Sequence, residues 1–301
     1  MWAAQNGCVR SVEALLDAPG RAAAIDAQDR DGFSALMLAA DFGQEGVARA
    51  LLARGARTDL GATHPDIRGS TSLARACGLG HERVVRLLVQ HGADVGRPDE
   101  TGEAPLASSQ HAGISALLLD HGAPVDLVDK SGASALMRAS IAGRDDVVRL
   151  LISRGASVDL RDNEGATALI LACAGDQSAA ARSLLGGGAD PNAQDLGGLT
   201  ALAWASREGC EAAAATLLAA GAAVDLQDAA RGFAALHWAC QEGYEGVARV
   251  LLNGGAAIDL LDAEGRTPLA CASGHAGVEA LLLGRGAVAG APRTARTPRT
   301  A

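Results

Sequence analysis

Glycines at positions 32, 69, 102, 132, 165, 198, 232 and 265 follow one another at steps of 37, 33, 30, 33, 33, 34 and 33 residues, and their neighbours recur with them. A period near 33 residues marks a stacked-repeat architecture, because one thin supersecondary unit cannot bury its own apolar face and must lean on its neighbours. The 301 residues are therefore read as one array and not as two ordinary domains. Aromatic residues make up only 2% of a chain that is 49% hydrophobic, so the interior must be built from Ala, Leu and Val.

The stretch Asp129 to Arg161, DKSGASALMRASIAGRDDVVRLLISRGASVDLR, serves as the type unit. Gly132 supplies a turn, and Ser134 is placed to cap a helix by accepting from its first free N–H groups. Leu136, Ala139 and Ser140 then recur at three- and four-residue spacing on one face of a short helix that Gly143 ends. A second helix begins at Asp145 and Asp146, whose carboxylates favour the positive end of its dipole, and carries Val147, Val148, Leu150 and Leu151 as a buried stripe. Gly155 sits where a left-handed cap is wanted, and an extended segment leads on as a hairpin-like finger.

The same order of residues appears in QDRDGFSALMLAADFGQEGVARALLARGARTDL, NEGATALILACAGDQSAAARSLLGGGADPNAQ and ARGFAALHWACQEGYEGVARVLLNGGAAIDL. These copies resemble the ankyrin-repeat family and its pattern D-x-x-G-x-T-P-L-H-x-A-A-x-x-G-x-x-x-V-V-x-L-L-x-x-G-A-x-h-D. The resemblance covers about residues 1–290 in about nine units. It implies an all-α ankyrin-repeat solenoid of helix-turn-helix pairs with β-hairpin-like fingers. The remaining residues 291–301, APRTARTPRTA, lack apolar periodicity and are expected to form a disordered basic tail, with Thr297-Pro298 as a kinase target.

Departures from the pattern carry their own expectations. The first unit opens directly on a helix, Met1-Trp2-Ala3-Ala4-Gln5-Asn6-Gly7, which aligns with His237-Trp238-Ala239-Cys240-Gln241-Glu242-Gly243 and leaves an exposed face as a weak point. The first helices of repeats four and nine are shortened, around Leu106 and Leu269, and insertions lie near Pro19 to Ala24 and Thr63 to Asp66. In the family the Thr and His of T-P-L-H bond to each other. Here Ser34, Thr71, Ser134, Thr167, Thr200 and Thr267 keep the hydroxyl, while His237 keeps the imidazole in a repeat that has Ala234 in place of Thr, so the array is expected to be softer than a consensus one.

A formal charge of -9 disfavours nucleic acid as a partner, since affinity for phosphate rests on clustered Lys and Arg. Removing the three positive charges of Arg293, Arg296 and Arg299 leaves the array at -12. No segment suits a leader or a membrane span, and the expectation is a monomeric, cytoplasmic array, with the nucleus also open to it. Cys77, Cys173 and Cys240 occupy the small first-helix position that Ala40 fills elsewhere, and no CxxC pair occurs. Nucleophile-elbow, phosphate-loop and zinc signatures are missing, and the histidines keep to repeat positions, apart from His64, so no catalytic residue, metal site or cofactor is expected. Asp126, Asp159, Asp225 and Asp259 form a finger row expected to bond local backbone. Asn192 resembles ankyrin asparagines that undergo hydroxylation.

Aromatic residues at variable positions point to a partner-binding face, because rigid rings bury much area at small entropic cost. Phe33 and Phe233 follow finger glycines and Phe42 ends a first helix, so all three are expected as exposed anchors. Trp204, Arg207, Glu208, Arg231, Trp238, Gln241 and Glu242 are expected to cluster with Phe233, and Arg30, Asp31 and Asp41 with Phe33 and Phe42. Trp2, Trp204 and Trp238 share one first-helix position and are expected to be partly buried. The function read from this pattern is a non-catalytic scaffold or adaptor that binds a protein partner through the concave groove and finger row, the alternative being the regulatory ankyrin array of a longer enzyme or channel of which this chain is a fragment.

Overall fold

The computed structural model describes residues 1–18 and 25–288. Among them eighteen α-helices follow one another as nine helix-turn-helix units, with no named strand. The insertion at Pro19 to Ala24 and the tail with Thr297 lie outside the described residues. Contacts divide the chain into one unit of Met1–Ala139 with Asp146–Ser157, and a second of Ser140–Asp145 with the residues from Val158 onward.

In the first unit the leading helices are α1 (Trp2–Gln5), α3 (Ala35–Asp41), α5 (Ser72–Gly78) and α7 (Pro105–Ser108), each packed on the next. Their partners α2 (Val9–Leu16), α4 (Glu45–Leu52), α6 (Glu82–Gln90) and α8 (Ala112–Asp120) form a second row, packed likewise. The helices α9 (Ala135–Ile141) and α10 (Asp145–Ser153) follow. In the second unit α11 (Ala168–Ala174), α13 (Ala201–Glu208), α15 (Ala235–Glu242) and α17 (Pro268–Cys271) make one row, and α12 (Ser178–Gly186), α14 (Glu211–Ala219), α16 (Glu245–Asn253) and α18 (Ala276–Gly284) the other. The shortened first helices of repeats four and nine have four residues each, one turn of helix.

Small side chains let these rows approach closely. Ala39, Ala76, Ala172, Ala205 and Ala239 are fully buried, and most leading helices add a buried leucine such as Leu36, Leu169 or Leu236. Burial of each such leucine contributes about 1.5–3 kcal/mol. Cys77, Cys173 and Cys240 are fully buried within the same layers, where burial pushes the Cys173 and Cys240 thiols up to about 12. At the open end of the first unit the apolar residues Met1, Trp2 and Leu15 remain exposed; Trp2 is 72% exposed, whereas the aligned Trp238 is 7% exposed.

The glycine period has two causes. Gly198 has φ +80°, a left-handed conformation that strains any other residue, and a Cβ there would lie 2.6 Å from the Ala229 N. That close approach serves a hydrogen bond, since the Ala229 N–H donates to the Gly197 carbonyl at 3.0 Å. The same bond joins Glu100 to Arg68, Lys130 to Thr101, Leu196 to Glu164 and Ala263 to Arg231. The fingers are held by these repeat-to-repeat bonds more than by hairpin pairing, which is reduced to isolated bridges Gln28–Ser34, Val128–Ser134 and Gln194–Thr200.

The finger aspartates reach further than local backbone. Asp126 accepts from the Ser157 N–H at 2.9 Å, Asp159 from Asp190 at 3.0 Å and Asp225 from Ala257 at 3.0 Å, each in the following repeat. Asn192 occupies the same register and its Oδ1 accepts from the Ala223 N–H at 2.7 Å. Helix caps fall where the hydroxyls predict: Ser34, Thr71, Ser134, Thr167, Thr200 and Thr267 each accept from the N–H three residues on.

Candidate functional site

A second aspartate starts the finger turns, and at Asp129, Asp195 and Asp228 it also positions a side chain of the leading helix that follows, Arg138, Trp204 and Trp238. Asp195 Oδ1 accepts from the Gly197 and Leu199 N–H groups at 2.9 Å each, and its Oδ2 accepts from the Trp204 indole N–H at 2.9 Å. Asp228 repeats the arrangement, accepting from the Arg231 N–H at 2.7 Å and from the Trp238 indole at 3.2 Å. Each tryptophan is thus fastened at its polar edge, which fixes the orientation of its ring.

Arginines lie over these rings. The Arg207 guanidinium is 4.9 Å from the Trp204 centroid and 5.4 Å from that of Trp238. Arg231 lies 5.3 Å from Trp238 and 5.5 Å from Phe233, and Arg266 5.5 Å from Phe233. Cations at these distances are attracted to the ring face. Gln241 accepts from Arg231 Nη1 at 3.1 Å and donates to Glu242 at 2.9 Å, while Glu208 stands 3.9 Å from Arg207. Trp204, Arg207, Glu208, Arg231, Gln241 and Glu242 therefore share one surface, as their repeat positions imply.

Phe233 is a correction. It was expected as an exposed anchor, but it is fully buried, edge to face with Trp238 at 5.1 Å and stacked on His237 at 5.2 Å. The small Ala203 opposite it, with Leu199 and Cys271 alongside, leaves room for a ring, and an aromatic side chain that loses its water there stabilises the fold. Trp238 is sealed by the same packing and is more deeply buried than expected, while Trp204 stays half-buried. Arg266 joins this cluster although the aromatic pattern does not point to it; it follows Gly265 as Phe33 follows Gly32 and Phe233 follows Gly232.

In the first unit Phe42 is 49% exposed, and Leu79, at the equivalent place in the next repeat, is exposed as well. Phe33 is half-buried under the Arg75 guanidinium, 5.7 Å from its centroid. Arg75 is held by Asp41 through bonds of 2.6 and 2.7 Å. The histidines that open second helices also have structural partners, with His81 Nε2 bonding to the Asp41 carbonyl at 2.9 Å and His275 Nε2 to that of Gln241 at 3.0 Å.

The family model of ankyrin repeats in three copies matches residues 1–99, 154–228 and 202–291, and that of ankyrin repeats in many copies matches 118–172. The chain is an ankyrin-repeat protein. Ankyrin repeats generally mediate protein-protein interaction and are typically non-catalytic. No helix of this ankyrin-repeat protein is long and apolar enough, among the described residues, to cross a membrane.

Proposed function

We propose that this chain is a non-catalytic scaffold or adaptor that binds a protein partner through the leading-helix face and the row of fingers. The observation that carries this reading is the Trp204–Arg207–Trp238–Arg231 ladder. Its rings and guanidiniums are fixed in place before any partner arrives, which lowers the entropy lost on binding. Trp and Arg are also the residue types most enriched among binding hot spots. Six free thiols suit a reducing compartment, so the reading places the protein in the cytoplasm or nucleus.

Affinity capture with the wild-type chain and with an Arg207→Ala/Phe42→Ala variant tests the reading. Both side chains are exposed, so the variant keeps its helical content by circular dichroism. Partners retained equally by both proteins would remove these two positions from the binding face.

A further inference from the structure

The arginines of the leading-helix face differ in what they are bound to. Arg75 is neutralised by Asp41 at 2.6 Å, Arg138 by Asp129 and by Glu103 at 3.0 Å, and Arg266 by Asp262 at 2.7 Å. Arg207 and Arg231 are not. Arg231 donates from its side chain to the neutral Gln241 amide, with no carboxylate of the described residues within ion-pair distance. Arg207 has only Glu208 at 3.9 Å, too long for a hydrogen bond, and both groups are more than 40% exposed.

The carboxylates nearest the pair are already committed. Asp195 and Asp228 accept from turn N–H groups and from the two indoles, and Asp262 and Glu264 both face Arg266. Glu242 accepts from the Gln241 amide, which among the described residues leaves Glu208 as the one carboxylate in ion-pair range of either guanidinium. Both arginines lie against the Trp238 ring, 5.4 and 5.3 Å from its centroid, and apart from the bond from Arg231 to Gln241 their side-chain donors have no hydrogen-bond partner among the described residues. Ring contact fixes a guanidinium without using its N–H groups, and these match carboxylate oxygens two at a time.

We infer that Arg207 and Arg231, held over Trp238, form a carboxylate-binding clamp that takes an acidic peptide segment, rich in Asp or Glu, of the protein partner. The inference rests on the protein-binding reading above and adds the chemistry of what is bound. The net charge of -9 spread over the chain bears little on it, because exposed charges further off than about 8–10 Å are screened at physiological salt.

The test titrates the full chain with three ten-residue peptides, one Glu-rich, one with Gln and one with Lys at the same positions, followed by tryptophan fluorescence and calorimetry. A ten-nucleotide single strand is the fourth probe. The Glu peptide is expected to bind most tightly, with affinity that falls as salt rises. Arg207→Gln/Arg231→Gln is expected to weaken it at least about tenfold, whereas Arg10→Gln/Arg182→Gln, which removes two exposed positive charges elsewhere, leaves it unchanged. Equal binding of the Gln peptide, equal weakening by both double variants, or tighter binding of the oligonucleotide overturns the clamp. If the Glu peptide does not bind, whether or not the Gln or Lys peptide does, the clamp fails, and the affinity capture described above decides the protein-binding reading separately.

Discussion

Phe233 meets Trp238 edge to face, with ring centroids 5.1 Å apart and planes inclined at 69°. This pair packs on Ala203 and Leu199 of repeat seven and on Cys271 of repeat nine. Phe233→Ala therefore acts as a core truncation. It is expected to destabilise the second unit by about 3–5 kcal/mol, read as a lower urea midpoint, and it is unsuited as a binding probe. A midpoint unchanged from wild type would contradict the burial.

Ala234 leaves half of a hydrogen-bonded pair unmade. The His237 Nδ1 accepts from the Ala234 N–H at 3.2 Å, but no hydroxyl caps α15, while Thr200 caps α13 in the preceding repeat. Ala234→Thr is expected to raise stability by about 1 kcal/mol in chemical denaturation, the usual worth of such a cap.

Asp176 has φ +54°, the one described non-glycine residue in the left-handed region, at a position where Gly143, Gly209 and Gly243 stand in other repeats. In those repeats the residue that opens the next second helix leans on the glycine; a Cβ at Gly209 would lie 2.8 Å from the Tyr244 ring. The smaller Cys210 occupies that place above Asp176 and leaves space for a side chain. Asp176→Gly is expected to stabilise the chain by about 1 kcal/mol by relieving backbone strain, and a lower melting temperature would count against that account.

Two kinds of buried group set the acid sensitivity. Burial pushes the His237 pKa below its ordinary value, against the neighbouring Arg266 and Leu260 backbone. The unfolded chain then binds a proton that the folded chain refuses, so stability falls as pH drops below about 6.5. For Asp262, burial raises the pKa, but hydrogen bonds from the Arg266 and Glu264 N–H groups and the Arg266 side chain outweigh it and hold the carboxyl below its usual range. Its contribution is complete above about pH 3.9 and is lost below that. Urea midpoints measured from pH 7 to 3 are expected to decline in both windows, with His237→Gln flattening the first and Asp262→Asn the second.

Thiol accessibility checks the layering directly. Cys77, Cys173, Cys210 and Cys240 are buried, and burial raises all four thiols, those of Cys173, Cys210 and Cys240 to about 12. Only Cys8 and Cys271, both half-buried, are expected to react with an aromatic disulfide reagent in native buffer, and all six only after unfolding.

The repeat length, the helix pairs, the caps and the short helices at Leu106 and Leu269 could be read from residue order alone. Each depends on local chemistry: a glycine at positive φ, a hydroxyl three residues before an N–H, a leucine stripe at helical spacing. The finger aspartates show where such reading stops. Residue order places Asp126 and Asp159 at one repeat position, yet their partners lie 31 residues away in the following repeat.

Sequence by itself therefore determined the unit, its count and its family, because those follow from interactions within about four residues repeated many times. Tertiary structure alone decided which variable side chains face water. Phe33 and Phe233 occupy the same place in their repeats, but Phe233 is sealed over Ala203 while Phe33 stays half-buried beneath Arg75. What covers a side chain at such a position is the residue 30 or more places along the chain, and the room it leaves is a property of the stacked pair.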